Sequence, residues 1–173
     1  MVQLENRGLI RHIGVPNFNK KKLEELISNS DVIPEMNQIE LHPYLHQDDL
    51  VDFCHKHSIN ITAFSPLGGQ DRIEATKAGS ELSLLGNKVV AAIARKHDLS
   101  SAQILIKFHL ERHVVIIPKS INKEKIQENL ASQKLNLEED DLKNLKSIDD
   151  HYRYVNGKFF EPLDGKYSNI YDE

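Results

Sequence analysis

Cys54 is the only cysteine, so no intrachain disulfide can form. No apolar run approaches the roughly 20 residues that a membrane-spanning helix needs. The formal charge of −4 carries no basic surplus of the kind that nucleic-acid binding requires. Missing too are a GxGxxG fingerprint, a GxxxxGK[ST] loop and a GxSxG elbow. The amino terminus, Met1 to Gly8, has neither a long apolar core nor a small-residue cleavage site, and it reads as helix and turn. These absences predict a cytoplasmic chain with no nucleic-acid partner and no membrane partner. Metal ligation is not expected. Pro43 breaks the helical face that His42 and His46 would need, and His109 and His113 have no acidic or thiol companions.

What remains is an ordinary globular composition, 39% hydrophobic and 28% charged over 173 residues, enough for one domain with a real core. Apolar periodicity alternates between strand and helix. Leu9 to Val15 reads as a strand, and Asn19 then caps a helix that places Leu23, Leu26 and Ile27 on one face. Met36 to Leu41 is a second strand, followed by a helix over residues 47–57. Ile61 to Ser65 is a third strand, and Gly68 to Gly86 reads as a long polar surface loop. Asn87 to His97 and a segment capped by Ser100 or Ser101 are two further helices. Val114 to Ile117 is the fourth strand. Asn122 caps the next helix, and Leu137 to Ile148 forms another. Residues 149–173 lose the pattern and should be a tail lying on the body. This succession predicts parallel βαβ units with right-handed crossovers, about four in number, in one domain over residues 1–173.

Two strand ends carry chemistry. Phe64-Ser65-Pro66-Leu67-Gly68-Gly69 stops a strand with a proline and paired glycines, whose missing side chains let a backbone approach a pyrophosphate or simply make a turn. Lys119 follows another strand and precedes a helix start, beside N–H groups that suit a phosphate; a solvated loop lysine is the alternative. Lys123 and Lys125 stand in the first turn of that helix, where cations oppose the helix dipole unless an anion binds. Gln38 and Glu40 share a face of the second strand. They need either a ligand or a structural hydrogen bond.

Four segments in order resemble the aldo-keto reductases. Ile13-Gly14-Val15-Pro16-Asn17-Phe18 is similar to that family's IGxSNF, Asn37-Gln38-Ile39-Glu40-Leu41-His42-Pro43 to NQxExHP, Phe64-Ser65-Pro66-Leu67-Gly68 to YSPLG, and Ile117-Pro118-Lys119-Ser120 to IPKS. The resemblance implies an α/β fold of the (β/α)8 TIM-barrel family, here its second half: about four parallel βα units plus a C-terminal helix and tail. It implies NADPH as cofactor and a small aldehyde or ketone as substrate of the complete enzyme. By the same resemblance Asn17 and Gln38 hold the nicotinamide carboxamide, and Phe64 stacks on the nicotinamide ring. Ser65, Leu67 and Gly69 line the pyrophosphate, and Asp71 and Lys119 close over it. Ser120, Asn122 and Lys125 surround the adenosine 2′-phosphate, and Glu128 and Asn129 meet the adenine. Pro16 replaces a serine. Lys125 stands where arginine is common, which leaves NADH as an alternative cofactor.

The family's catalytic aspartate, tyrosine, lysine and histidine have no counterpart in these residues, so no catalytic residue is assigned. The chain is expected to hold cofactor residues without the proton donor and to be inactive alone. A noncatalytic nucleotide-binding or interaction protein derived from the same barrel is the alternative. Open sheet edges and half an exposed barrel interior predict self-association.

Overall fold

The computed structural model describes residues 1–69, 82–157 and 171. In chain order the elements are α1 (Val2–Asn6), β1 (Gly14–Pro16), α2 (Lys20–Asn29), β2 (Met36–Glu40), α3 (Asp48–Lys56), β3 (Asn60–Phe64), α4 (Lys88–Lys96), α5 (Ser101–Glu111), β4 (Val115–Ile116), α6 (Lys123–Ala131) and α7 (Glu139–Lys146). The strands form one parallel sheet in the order β1-β2-β3-β4, the alternating α/β succession expected of a half-barrel. No helix among the described residues is long and apolar enough to cross a membrane.

The chain divides into two compact units. The first comprises residues 1–39, 47–62 and 157–173, and the second residues 40–46 and 63–156.

In the first unit β1 pairs with β2 in parallel, Gly14 opposite Met36 and Pro16 opposite Gln38. A Cβ at Gly14 would lie 3.0 Å from the Met36 carbonyl oxygen, so a larger residue there would have to push β2 back by a few tenths of an ångström. Leu23 of α2, Ile39 of β2, Leu50, Val51 and Cys54 of α3 and Ile61 of β3 are buried, as their periodicity requires. Asn37, fully buried in β2, ties down the turn after β1. Its Nδ2 donates to the Phe18 carbonyl at 2.8 Å, and its Oδ1 accepts the Phe18 N–H at 3.3 Å.

The first strand is shorter than its apolar run. Leu9 does not begin it, because the Leu9 N–H is spent on the Leu4 carbonyl at the end of α1, with Gly8 left-handed at φ 68°. Helices α3, α4 and α5 end in the same motif without glycine. Ser58, Asp98 and His113 take the left-handed position, at φ 58°, 54° and 53°, and the N–H groups of Ile59, Leu99 and Val114 reach back to Cys54, Ala94 and His109. This also trims the fourth strand. Val114 closes α5 and Pro118 has no N–H to offer, so only Val115–Ile116 remains extended.

In the second unit Val90, Ile93 and Ala94 of α4 pack with Ile104, Leu105 and Phe108 of α5 and Leu145 of α7. Ser100 and Gln103 close a capping box at the start of α5. Leu84 is fully buried in this core, although the sequence places it in a surface loop; residues 70–81 of that loop lie outside the described residues. Helix α6, by contrast, buries no residue, and Ile126 and Leu130 on it are exposed.

Candidate functional site

Ser65 immediately follows β3 at φ 52°, a left-handed conformation that a residue with a side chain adopts only when its surroundings impose it. The turn that follows is closed by the Gly68 N–H, which donates to the Ser65 carbonyl at 2.9 Å. Gly68 has φ 93°, and a Cβ there would meet Tyr154 Oη at 3.1 Å, so this position takes glycine on two counts. In the same unit the chain leaves β4 through Ile117, Pro118, Lys119 and Ser120 and enters α6. Asn122 caps that helix, its side chain accepting the Lys125 N–H at 2.9 Å, and Ser120 Oγ accepts the Asn122 N–H at 3.2 Å.

These two arms line a single groove of about 880 Å³, with Ser65, Leu67 and Gly69 on one arm and Lys119, Ser120, Asn122, Lys125, Glu128 and Asn129 on the other. All of these were expected at cofactor contacts. The volume lies within the roughly 300–1,000 Å³ of small-molecule sites. Ser100, Ser101 and Ala102 at the start of α5 also line it, although in the sequence they read only as a cap. Two lysines and one glutamate among the lining residues leave the groove positive, and the first N–H groups of α6 add to that field.

Phe64 is half-buried at the end of β3, its carbonyl accepting the Leu41 N–H at 3.4 Å. It is not among the residues lining the groove. Asp71 lies outside the described residues. Asn17 and Gln38 belong to the first unit. Asn17 follows β1 in the left-handed conformation, φ 55°, as Ser65 follows β3, and its N–H donates to the Gln38 carbonyl at 2.8 Å. Its side-chain Oδ1 is buried with no donor, and the side chain of Gln38 is exposed.

His109, fully buried in α5, supports the groove wall. Its Nε2 lies 3.4 Å from the carbonyl of Pro66, and burial pushes its pKa down to about 3, so the ring is neutral. As a neutral ring it can donate Nε2–H to that carbonyl. The sequence offers this residue only as a metal candidate.

One cluster has metal-like composition. His97, Glu138 and Asp141 bring ligand atoms within 4.8 Å of one another. Lys96 already sits on both carboxylates, 2.8 Å from Glu138 and 2.9 Å from Asp141, and His97 Nε2 is 2.6 Å from Asp141. Burial works to raise the Asp141 pKa, but the hydrogen bonds from His97 and Lys96 outweigh it and hold the carboxyl below its ordinary range. This is an ion cluster tying α4 to α7.

The family model described as aldo/keto reductase family matches residues 1–150. The chain belongs to the aldo/keto reductase family. Among its relatives is an aldo/keto reductase of the cyanobacterium Synechocystis, 41% identical over 168 residues, covering 96% of this chain and 51% of that protein. Aldo-keto reductase family 1 member A1 of the mouse is 38% identical over 149 residues, 86% of this chain and 45% of that one. The crystal structure of an aldo-keto reductase of the silkworm, Bombyx mori, superposes with a TM-score of 0.82 at 31% identity, over 95% of this chain and 50% of that one. The chain thus spans about half the length of the curated relatives it matches. The family is one of oxidoreductases that generally use NAD(P)H and act on carbonyl substrates.

Proposed function

We propose that the groove binds the phosphorylated end of NADPH, and that these residues supply the cofactor-holding part of a reductase acting on a small aldehyde or ketone. The observation that carries this reading is the convergence on one positive groove of Ser65, Leu67 and Gly69 with Lys119, Ser120 and Lys125, two groups 50 residues or more apart in sequence. NADPH, when bound, supplies the hydride. The protein's own residues bind and orient it. The bare backbone at Gly69 admits a pyrophosphate closely, and Lys119 neutralises it. Lys125 and the α6 N–H groups take the 2′-phosphate, with Ser120 and Asn122 holding the turn in shape around it. Glu128 and Asn129 meet the adenine. The donorless acceptor on Asn17, in the first unit with Gln38, suits a carboxamide NH2, and Phe64, in the second, offers a ring for stacking on an aromatic ligand.

A carbonyl also needs a proton as it accepts hydride, and no tyrosine in this sequence matches the family's donor. The isolated 173 residues therefore bind the nucleotide and do not turn over. We place the protein in the cytoplasm, as one domain over residues 1–173; most of its tail, residues 158–170, 172 and 173, lies outside the described residues. The exposed Val115 and Ile117 at the edge strand support self-association.

The test is paired. Fluorescence titration with NADPH should saturate at one site per chain, and reduction of a generic aldehyde by the same preparation should stay at the buffer rate. Saturation with robust turnover would mean that the chain carries its own proton donor. Absence of saturation would remove the nucleotide reading and favour an interaction role.

A further inference from the structure

Glu40, in the last position of β2, is fully buried and reaches far along the chain. Its Oε1 accepts the Tyr154 N–H at 2.6 Å, and its Oε2 accepts the Val155 N–H at 3.1 Å. His42 Nε2 stands 3.0 Å from the same Oε1. A buried carboxylate is kept only when such partners replace its lost hydration, so the two backbone N–H groups fix where this part of the tail lies. The ring of His42 packs edge-on against Tyr154, centroids 4.9 Å apart. Tyr154 is 4% exposed, and its Oη donates to the Leu82 carbonyl at 2.6 Å.

The consequence appears at the groove. The space a side chain at Gly68 would occupy is taken by Tyr154 Oη, 3.1 Å from the would-be Cβ, and by the Leu84 Cβ at 3.3 Å. The turn from Ser65 to Gly69 therefore rests on the phenol, and both ends of that turn line the groove.

We propose that Glu40 is a positioning residue for the nucleotide groove, acting through Tyr154 to hold the turn from Ser65 to Gly69 in the shape that receives a pyrophosphate. This rests on the groove's being a nucleotide site. Glu40 touches no ligand itself. It decides the seat of Tyr154, and Tyr154 backs the turn.

Two variants of the full chain test it. Tyr154→Phe keeps the ring and loses the bond to Leu82. Glu40→Gln keeps the volume and replaces one acceptor with an NH2 that cannot accept. Loss of one such hydrogen bond should weaken NADPH about five-fold in each variant, while adenosine 2′-phosphate, which needs only the α6 arm, stays within about two-fold. Without any ligand, amide exchange at Gly68 should rise by about the same factor as its bond to Ser65 opens more often. A role confined to stability would weaken both ligands in parallel, and that result overturns the proposal. So does Tyr154→Phe with unchanged NADPH affinity and unchanged exchange, even if Glu40→Gln fails to fold. An unsubstituted chain that binds neither ligand would remove the nucleotide reading instead, and the proposal with it.

Discussion

Replacing Lys125 by glutamine removes one positive charge from the first turn of α6 and leaves the helix cap intact, because the cap uses the Lys125 backbone N–H and not its side chain. Lys125 is exposed, which sets the scale of the effect. A unit charge about 4 Å from another gains about 1 kcal/mol in bulk water and about 4 kcal/mol at the dielectric of a protein surface. A phosphate monoester carries about −1.5 to −2 charges, but the glutamine retains a hydrogen-bonding group and the exposed site is well solvated. About 1.5 kcal/mol is therefore the expected loss, or roughly ten-fold in affinity. The loss should be specific to the ligand. Adenosine 2′-phosphate should weaken about ten-fold, and adenosine 5′-phosphate, which lacks the group that Lys125 is proposed to meet, by less than about two-fold.

Calorimetric titration of both nucleotides at low salt measures the two losses directly. Raising the salt should shrink the difference between Lys125 and its glutamine variant, because the screening length falls to about 8 Å at physiological ionic strength. Lys125→Arg should bind adenosine 2′-phosphate at least as tightly as the unsubstituted chain, since a planar fork can hold two phosphate oxygens. Equal losses for the two nucleotides would refute the reasoning, because they would mean that Lys125 contributes only a general field. No loss for either would place the 2′-phosphate elsewhere.

Other perturbations follow from burial. Phe108→Ala empties a fully buried position in the core of the second unit, where the ring also lies 5.4 Å from that of His46 and 5.2 Å from the Arg112 guanidinium. It should cost about 3–5 kcal/mol in urea unfolding, and a loss below about 1 kcal/mol would contradict the packing. Acidification should destabilise the fold through His109, whose pKa is pushed from 6.5 to about 3. The unfolded chain then takes up the proton first, so the contribution is complete above the unfolded value and declines as pH falls from 6.5 toward 3. His109→Gln should show a smaller drop in urea midpoint on acidification across that range, and an identical drop would refute the assignment. Burial raises the Cys54 thiol to about 11, with a hydrogen bond from Asn37 offsetting part of the shift. At about pH 8 roughly one thiol in a thousand is thiolate, so an aromatic disulfide reagent should label Cys54 only as fast as the protein opens. Immediate labelling of the folded chain would contradict this.

What could be read from the sequence was local, and what could not be read depended on long separations. Asn19, Asn87, Ser100 and Asn122 signal helix starts because a cap binds N–H groups two or three residues away, and all four do so here. The two arms of the groove were legible for the same reason: each is a short segment whose proline or glycines shape its own turn. Helix ends were harder to place. Ser58, Asp98 and His113 are exposed residues in left-handed positions where glycine is the usual signal, and what holds the chain there is the backbone bond and, for Ile59 and Val114, the burial of the residue that follows. Glu40 and Tyr154 were opaque. They are 114 residues apart, and nothing in either neighbourhood announces the other. The strand motif leaves open whether Glu40 awaits a ligand or a structural partner. Its buried carboxylate is answered by backbone N–H groups of the tail, so the acid most suggestive of chemistry in that motif is bound structurally, and the groove it helps to shape is lined by other residues.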